Sequence, residues 1–243
     1  MASQRRVAVI TGAVHLASRG FNLVLNYASS TKDFEATKQE IESLQQDSIV
    51  VGVQADLGQP TSTRKVIDEA IKLSGKIDVL ILNAAIMPLK PFLACTEEDL
   101  DKVYAINYKS PFLMTQAAVP YIPQGGRIIF LSTSLNSASA VTEPYVLYCP
   151  TKGSIEQLSR ILAKALGGEK HGIRVNTVAP GPTSTELFLK GKSDALLKSI
   201  AAANPFNRLG EAEEIAKAIG FFASDESTWV SGQILRVNGA YVV

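Results

Sequence analysis

The sequence predicts an α/β fold built on a single doubly wound parallel sheet of seven strands. Three observations predict it. Short apolar runs rich in Val and Ile recur along the chain, as expected of strands buried on both faces. Helical patterns separate most of them, and this alternation implies right-handed crossovers and parallel strands. Small, polar and turn-forming residues follow nearly every strand, at the end of the sheet where ligands of such folds bind.

The elements follow in order. Arg6-Val7-Ala8-Val9-Ile10 reads as the first strand and Asn22-Leu23-Val24-Leu25-Asn26-Tyr27 as the second. Residues 48–54 read as the third, 77–82 as the fourth, 127–131 as the fifth, 173–178 as the sixth and 233–237 as the seventh. Helices are expected over 32–46, 61–73, 97–122 and 147–166, with another beginning near Glu211. Thr96-Glu97-Glu98-Asp99 has the form of an N-cap followed by acids in the first turn. Gly20 and Gly75 stand where helices should stop. Pro150 falls in a first helical turn, where a missing N–H is tolerated. No repeat, low-complexity tract or linker interrupts the chain, so 1–243 reads as one domain.

Composition narrows the function classes. Hydrophobic residues make up 46% and charged residues 19%, which permits a large core and argues against disorder. The net charge is +1, with Lys and Arg scattered, so neither a nucleic acid nor a membrane surface is expected as a partner. The apolar run near the N-terminus, Val7 to Ile10, is too short for a signal-peptide core or a membrane span. Two cysteines, Cys95 and Cys149, make no disulfide framework and point to a reducing, cytoplasmic setting. His15 and His171 lie outside any Cys/His cluster, so no metal site is expected.

The chemistry concentrates in Tyr148-Cys149-Pro150-Thr151-Lys152. On a helix, Tyr148 and Lys152 share one face, one turn apart. A free phenol is a poor acid or base at neutral pH, and a cation held beside it favours the phenolate. Such a pair can move a proton on or off an alcohol oxygen. The strand ends supply the surroundings: Thr11-Gly12-Ala13, Asp56-Leu57, Asn83-Ala84-Ala85-Ile86, Ser132-Thr133-Ser134 and Pro180-Gly181-Pro182-Thr183-Ser184-Thr185.

These motifs, in this order and at these intervals, resemble the short-chain dehydrogenase/reductase family in its ketoreductase-like branch, a Rossmann-like fold. The resemblance runs from Val7 to Gly239. It implies that Tyr148 protonates a carbonyl oxygen during reduction, and that Lys152 lowers the tyrosine pKa and holds the nicotinamide ribose. It implies that Asn107 holds a proton-relay water beside the lysine. A hydroxyl after the fifth strand orients the carbonyl; counting from the strand favours Thr133, while counting back from Tyr148 is compatible with Ser134, the preferred residue. Asp56 and Leu57 border the adenine, and Asn83, Ala84 and Ala85 stand where the family commonly has N-N-A-G. Pro180, Gly181, Thr183 and Thr185 cradle the nicotinamide and diphosphate. After the second strand, an acid would bind the adenosine ribose hydroxyl and favour NAD. Here Asn26-Tyr27-Ala28-Ser29-Ser30 carries none. That pattern resembles members using NADP, with Asn26, Tyr27 and Ser29 near the 2′-phosphate. The family's helix pairing implies a homo-oligomer, a tetramer.

The chain departs from the family in its first loop, T-G-x-x-x-G-x-G followed by a full helix. Here Thr11-Gly12-Ala13 runs into Val14-His15-Leu16-Ala17-Ser18-Arg19-Gly20. Two glycines and roughly nine residues of the usual βαβ crossover are missing. The expected activity is NADPH-dependent reduction of a ketone or aldehyde to an alcohol. The alternatives are reduction of a 3-oxoacyl thioester, or a non-catalytic binding partner that has lost its coenzyme. Residues 184–209 place Leu187, Phe188, Leu196, Leu197 and Ile200 on an apolar face, fitting a lid over substrate or an ordinary surface helix pair. Met87-Pro88-Leu89-Lys90-Pro91-Phe92 fits a substrate wall or core packing.

Overall fold

The computed structural model describes residues 5–10, 20–44 and 47–243. Seven parallel strands form one sheet: β1 (Val7–Ile10), β2 (Asn22–Tyr27), β3 (Val50–Gln54), β4 (Val79–Leu82), β5 (Arg127–Leu131), β6 (Arg174–Pro180) and β7 (Ile234–Val237). Their order is β3-β2-β1-β4-β5-β6-β7, so the strand sequence reverses direction between β1 and β4. The helices are α1 (Thr31–Leu44), α2 (Pro60–Ser74), α3 (Glu97–Tyr104), α4 (Ser110–Ala118), α5 (Tyr148–Leu166), α6 (Glu186–Leu189), α7 (Asp194–Ala202) and α8 (Ala212–Ala223). The doubly wound parallel sheet expected from the sequence is the observed one.

Alternate residues of each strand feed two separate cores, as the period of two requires. Val9, Val24, Leu80, Ile128 and Val175 pack with Ile67 of α2, Met114 of α4 and Ile155 of α5. On the other face Ile10, Leu23, Ile81, Ile129 and Val178 pack with Ile41 of α1 and Phe222 of α8. The central strands are buried on both faces, which is why they read as unbroken apolar runs.

Strand starts differ from expectation where side chains replace the ladder. The third strand was expected from Ser48 but begins at Val50, because Ile49 N–H donates to Asn22 Oδ1 and Ser48 Oγ accepts from Arg5. The fourth begins at Val79 rather than Ile77, since Ile77 N–H turns to the Tyr121 carbonyl and Asp78 Oδ2 accepts from Val7 N–H. The sixth runs on to Pro180, because β7 pairs with Ala179 and Pro180.

The helix expected over 97–122 runs without a gap over 97–121, but its pitch changes along the way. A capping box joins Thr96 and Asp99 at its start, as the sequence indicated. The path then widens into a π-helical turn over Ala105–Lys109 before α4. Pro111 supplies the reason: it has no N–H, so the α-helical bond to the carbonyl four residues back, that of Asn107, cannot form. Gly75 closes α2 in a left-handed conformation, with its N–H on the Ile71 carbonyl. Gly20 also has positive φ, but the residues before it, including Thr11, Gly12, Ala13 and His15, lie outside the described residues. Eleven residues separate Ile10 from Asn22, although β1 and β2 are parallel neighbours in the sheet.

Candidate active site

A cleft of about 770 Å³ opens beyond the carboxyl ends of the strands. α5 lines one wall with Tyr148 and Lys152, which its pitch sets one turn apart on the same face. Both are buried, at 8% and 3% exposed. Lys152 Nζ donates to the Leu131 carbonyl at 2.7 Å and sits 5.8 Å above the centre of the Tyr148 ring.

The electrostatics differ from the simple expectation of a lowered phenol. Burial pushes the Tyr148 phenol up, with smaller contributions from Cys149 and Tyr145. Burial pulls Lys152 down to about 8. The physical reason is shared: a site poor in water penalises the charged form of either group. The ammonium lies over the ring of the tyrosine. Cys149, the neighbouring residue, is pushed up to about 11 by burial, the direction of an unreactive thiol.

Three consecutive hydroxyls leave β5, and their partners distinguish them. Ser132 Oγ donates to Glu156 Oε1 at 2.7 Å, with Asn136 Nδ2 bridging the same two groups. Thr133 Oγ1 accepts the Leu135 N–H at 3.3 Å in a local turn. Ser134 lines the cleft, is 1% exposed, and its buried Oγ has no hydrogen-bond partner among the described residues. The Ser132–Glu156–Asn136 network was not foreseen. Its signal was present: Glu156 stands one turn beyond Lys152 on α5.

Asn107 lies within the π-helical turn and is 1% exposed. Its Oδ1 accepts Ile86 N–H and its Nδ2 donates to the Ile86 carbonyl, both at 2.9 Å. Nδ2 also reaches Thr151 Oγ1 at 3.2 Å, and that hydroxyl donates to the Tyr148 carbonyl. The amide therefore ties the loop after β4 to the first turn of α5. Its backbone carbonyl is the one Pro111 leaves without an α-helical donor.

The remaining expected residues divide into two groups. Asn83, Ala85, Pro180, Gly181, Thr183 and Thr185 line the cleft. Thr183 Oγ1 donates to the Gly181 carbonyl, and Thr185 caps α6. Asn26, Tyr27, Ser29, Asp56, Leu57 and Ala84 do not line it. Asn26 Nδ2 donates to the carbonyls of Val53 and Ala55, tying β2 to β3. Tyr27 stacks on Phe34 with ring centres 4.9 Å apart, Ser29 is exposed, and Asp56 Oδ1 accepts the Gly58 N–H. Leu57 is buried in the core and Ala84 packs against it. Gly12 lies outside the described residues.

The outer wall of the cleft is apolar: Leu135, Tyr145, Leu187, Phe188, Leu196 and Ile200 line it. The last four come from α6 and α7 in the segment read as a lid or surface pair. Met87 and Leu89 also line it, whereas Phe92 of the same stretch is 62% exposed. Tyr241 contributes from the far end of the chain, and nothing in the sequence pattern signalled it. Among the described residues no helix is long and apolar enough to cross a membrane.

Residues 10–241 match the protein family described as Enoyl-(Acyl carrier protein) reductase, a short-chain dehydrogenase/reductase profile. A chloroplastic NADPH-dependent aldehyde reductase-like protein of Arabidopsis thaliana is 36% identical, covering 98% of this chain and 94% of the relative. A promiscuous reductase catalysing keto-reduction at C1 in lugdunomycin biosynthesis is 32% identical and superposes with a TM-score of 0.88, covering 98% of each chain. A short chain dehydrogenase of Burkholderia cenocepacia, solved with NADP, is 26% identical with a TM-score of 0.89, covering 98% of this chain and 97% of that one. With nearly the whole chain matched in sequence and in fold, this protein belongs to the short-chain dehydrogenase/reductase family.

Proposed function

We propose that this chain is an NADPH-dependent reductase that converts an apolar ketone or aldehyde to an alcohol. One observation carries the reading: a buried phenol, a buried ammonium and an unpartnered buried hydroxyl face one cleft at the carboxyl end of the sheet. The donors suit the coenzyme. Lys152 and Tyr148 would hold the nicotinamide ribose, and Pro180, Gly181, Thr183 and Thr185 would border the nicotinamide and diphosphate. Asn26 to Ser30 carry no carboxylate to repel a 2′-phosphate. Asp56, Leu57 and Asn83 to Ala85 would border the adenosine. Bound NADPH supplies a hydride at this site. The chain's own residues do the rest.

Ser134 Oγ donates to the substrate carbonyl and fixes its orientation. Tyr148 gives its phenolic proton to the same oxygen. The phenol is protonated at neutral pH, the form that reduction requires, and burial pushes its pKa further up. Lys152, largely charged at pH 7, offers its remaining N–H donors into the cleft. The Asn107 carbonyl, which Pro111 leaves without an α-helical donor, would hold a water that returns a proton toward the lysine. The apolar wall from α6 and α7 excludes bulk water.

A second reading, a binding protein without catalysis, is favoured by the eleven-residue crossover, which offers little room for a helix end to receive a pyrophosphate. Self-association is supported by an aromatic ladder running from α3 through the π-helical turn to α4. Tyr104, Tyr108 and Phe112 follow one another at 5.0 and 6.3 Å, with Tyr104 43% and Phe112 41% exposed. The test is NADPH oxidation with aldehydes, aromatic ketones and a 3-oxoacyl thioester, repeated with NADH. Faster turnover with NADPH is expected, and Tyr148→Phe should cost about 10²–10⁴-fold. Undiminished turnover in that variant, or preference for NADH, overturns the proposal; no turnover together with no coenzyme binding selects the second reading.

A further inference from the structure

A second cleft, of about 580 Å³, lies at the opposite end of the sheet. Arg127 and Arg174 open β5 and β6, whereas the catalytic cleft lies beyond their carboxyl ends. At ~3.3 Å per residue, β5 alone separates the two by roughly 16 Å. Its volume falls within the range of small-molecule sites.

The lining is cationic. Arg127, Arg174 and Lys164 contribute three positive charges, and Asp225 is the one carboxylate among the lining residues. Arg127 is 6% exposed and pairs with Asp225 through Nη2, yet its buried Nε has no hydrogen-bond partner among the described residues. Arg174 donates to Ser227 Oγ and the Ser224 carbonyl at 3.4 Å each, long bonds that hold the guanidinium loosely. Burial and the like charge of Arg127 both disfavour its ionised form, while Asp225 partly offsets them. Two guanidinium groups and an ammonium against one carboxylate leave an excess charge of about two. The rim carries Trp229, the chain's one tryptophan, 99% exposed beside this cleft.

A buried guanidinium with an unused donor, beside a second, half-exposed one of like charge, is costly unless an anion joins them. Guanidinium forks match phosphate oxygens geometrically, and an exposed indole face stacks on flat rings. We propose that this cleft binds a small phosphate monoester bearing an aromatic ring, of nucleoside-monophosphate chemistry, at a site separate from the catalytic cleft. The phosphate sits between Arg127, Arg174 and Lys164, and the ring lies on Trp229.

The single tryptophan makes the site directly readable. Adenosine monophosphate and inorganic phosphate are titrated separately into the full chain while Trp229 emission is followed. The expected result is saturable quenching by the nucleotide, a weaker effect of phosphate alone, and loss of binding in 1 M salt, where charges are screened beyond about 3 Å. Lys164→Gln, an exposed position on α5 whose change leaves the packing alone, should weaken binding by about tenfold. Arg174→Gln should weaken it further. Asp56→Ala, at the end of β3, should leave it unchanged, which separates this site from the coenzyme's adenosine end. The proposal is overturned by the absence of saturable quenching at millimolar nucleotide, by equal response to adenosine, or by full affinity in Lys164→Gln and Arg174→Gln. It is also overturned by an emission change that follows protein concentration instead of nucleotide, which would mean that a second copy covers Trp229.

Discussion

Replacing Lys152 by Met separates the stability of the site from its chemistry. Burial pulls the lysine from its ordinary 10.5 down to about 8 in the folded chain. Below pH 8 the group is charged in both states, and the fold carries the full penalty of burying it. Between pH 8 and 10.5 the folded chain releases the proton while the unfolded chain keeps it. The unfolded state then binds more protons, so stability rises with pH across that window. A difference of about 2.5 units corresponds to about 3 kcal/mol. Lys152→Met removes that penalty together with the hydrogen bond to the Leu131 carbonyl, so it should be no less stable than the parent at pH 7 while losing activity. Tyr148 and Cys149 act in the opposite sense: burial raises both, so the unfolded chain deprotonates first and stability falls as pH climbs through their ordinary values of 10 and 9. Both residues are present in both proteins, so the parent-minus-variant difference isolates the lysine. Urea denaturation at intervals from pH 8 to pH 10.5 measures it. A difference that rises by about 3 kcal/mol supports the account. A flat difference refutes it, because the lysine would then be no harder to charge in the fold than in the unfolded chain.

The other expectations concern the coenzyme, the hydroxyl and the lid. Inserting Ser-Arg-Gly-Ile-Gly-Arg-Ala-Ile-Ala between Ala13 and Val14 should tighten NADPH binding by some two to four powers of ten and raise the melting temperature, since it restores backbone donors for the pyrophosphate; micromolar binding by the unmodified chain, measured by NADPH fluorescence, would count against this. Ser134→Ala should cut turnover far more than Thr133→Val, because the Thr133 hydroxyl already accepts the Leu135 N–H; the reverse order would move the role to Thr133. Residues 186–202 should gain hydrogen-exchange protection when coenzyme and substrate bind, since Leu187, Phe188, Leu196 and Ile200 face the cleft. Protection unchanged by ligand would leave α6 and α7 as an ordinary surface pair.

Much of the fold was legible because buried strands must be apolar whatever surrounds them. The runs 22–27 and 127–131 match β2 and β5 residue for residue. Tyr148 and Lys152 were legible for a related reason: the pitch of a helix alone brings positions four apart together. The change of pitch within 97–122 was not, although Pro111 marks it, because apolar periodicity continues through a π-turn with little change. Asn26 and Asp56 were read as coenzyme neighbours from their place at the end of β2 and just after β3. In the structure Asn26 also ties β2 to the β3 end and Asp56 accepts the Gly58 N–H, contacts that strand position does not reveal.

The sequence by itself determined the class of fold, the strand boundaries within two or three residues, the placing of Tyr148 and Lys152 on one helix face and the short first crossover, since each depends on residues close together in the chain. Tertiary structure decided which of three adjacent hydroxyls lacks a partner, that burial raises the phenol and lowers the ammonium, and that Tyr241 and α7 close the cleft wall. It also decided that Arg127, Lys164, Arg174 and Trp229 meet at the far end of the sheet. Hydrogen-bond satisfaction, desolvation and charge proximity depend on what packs from distant parts of the chain, and no spacing along the sequence encodes them.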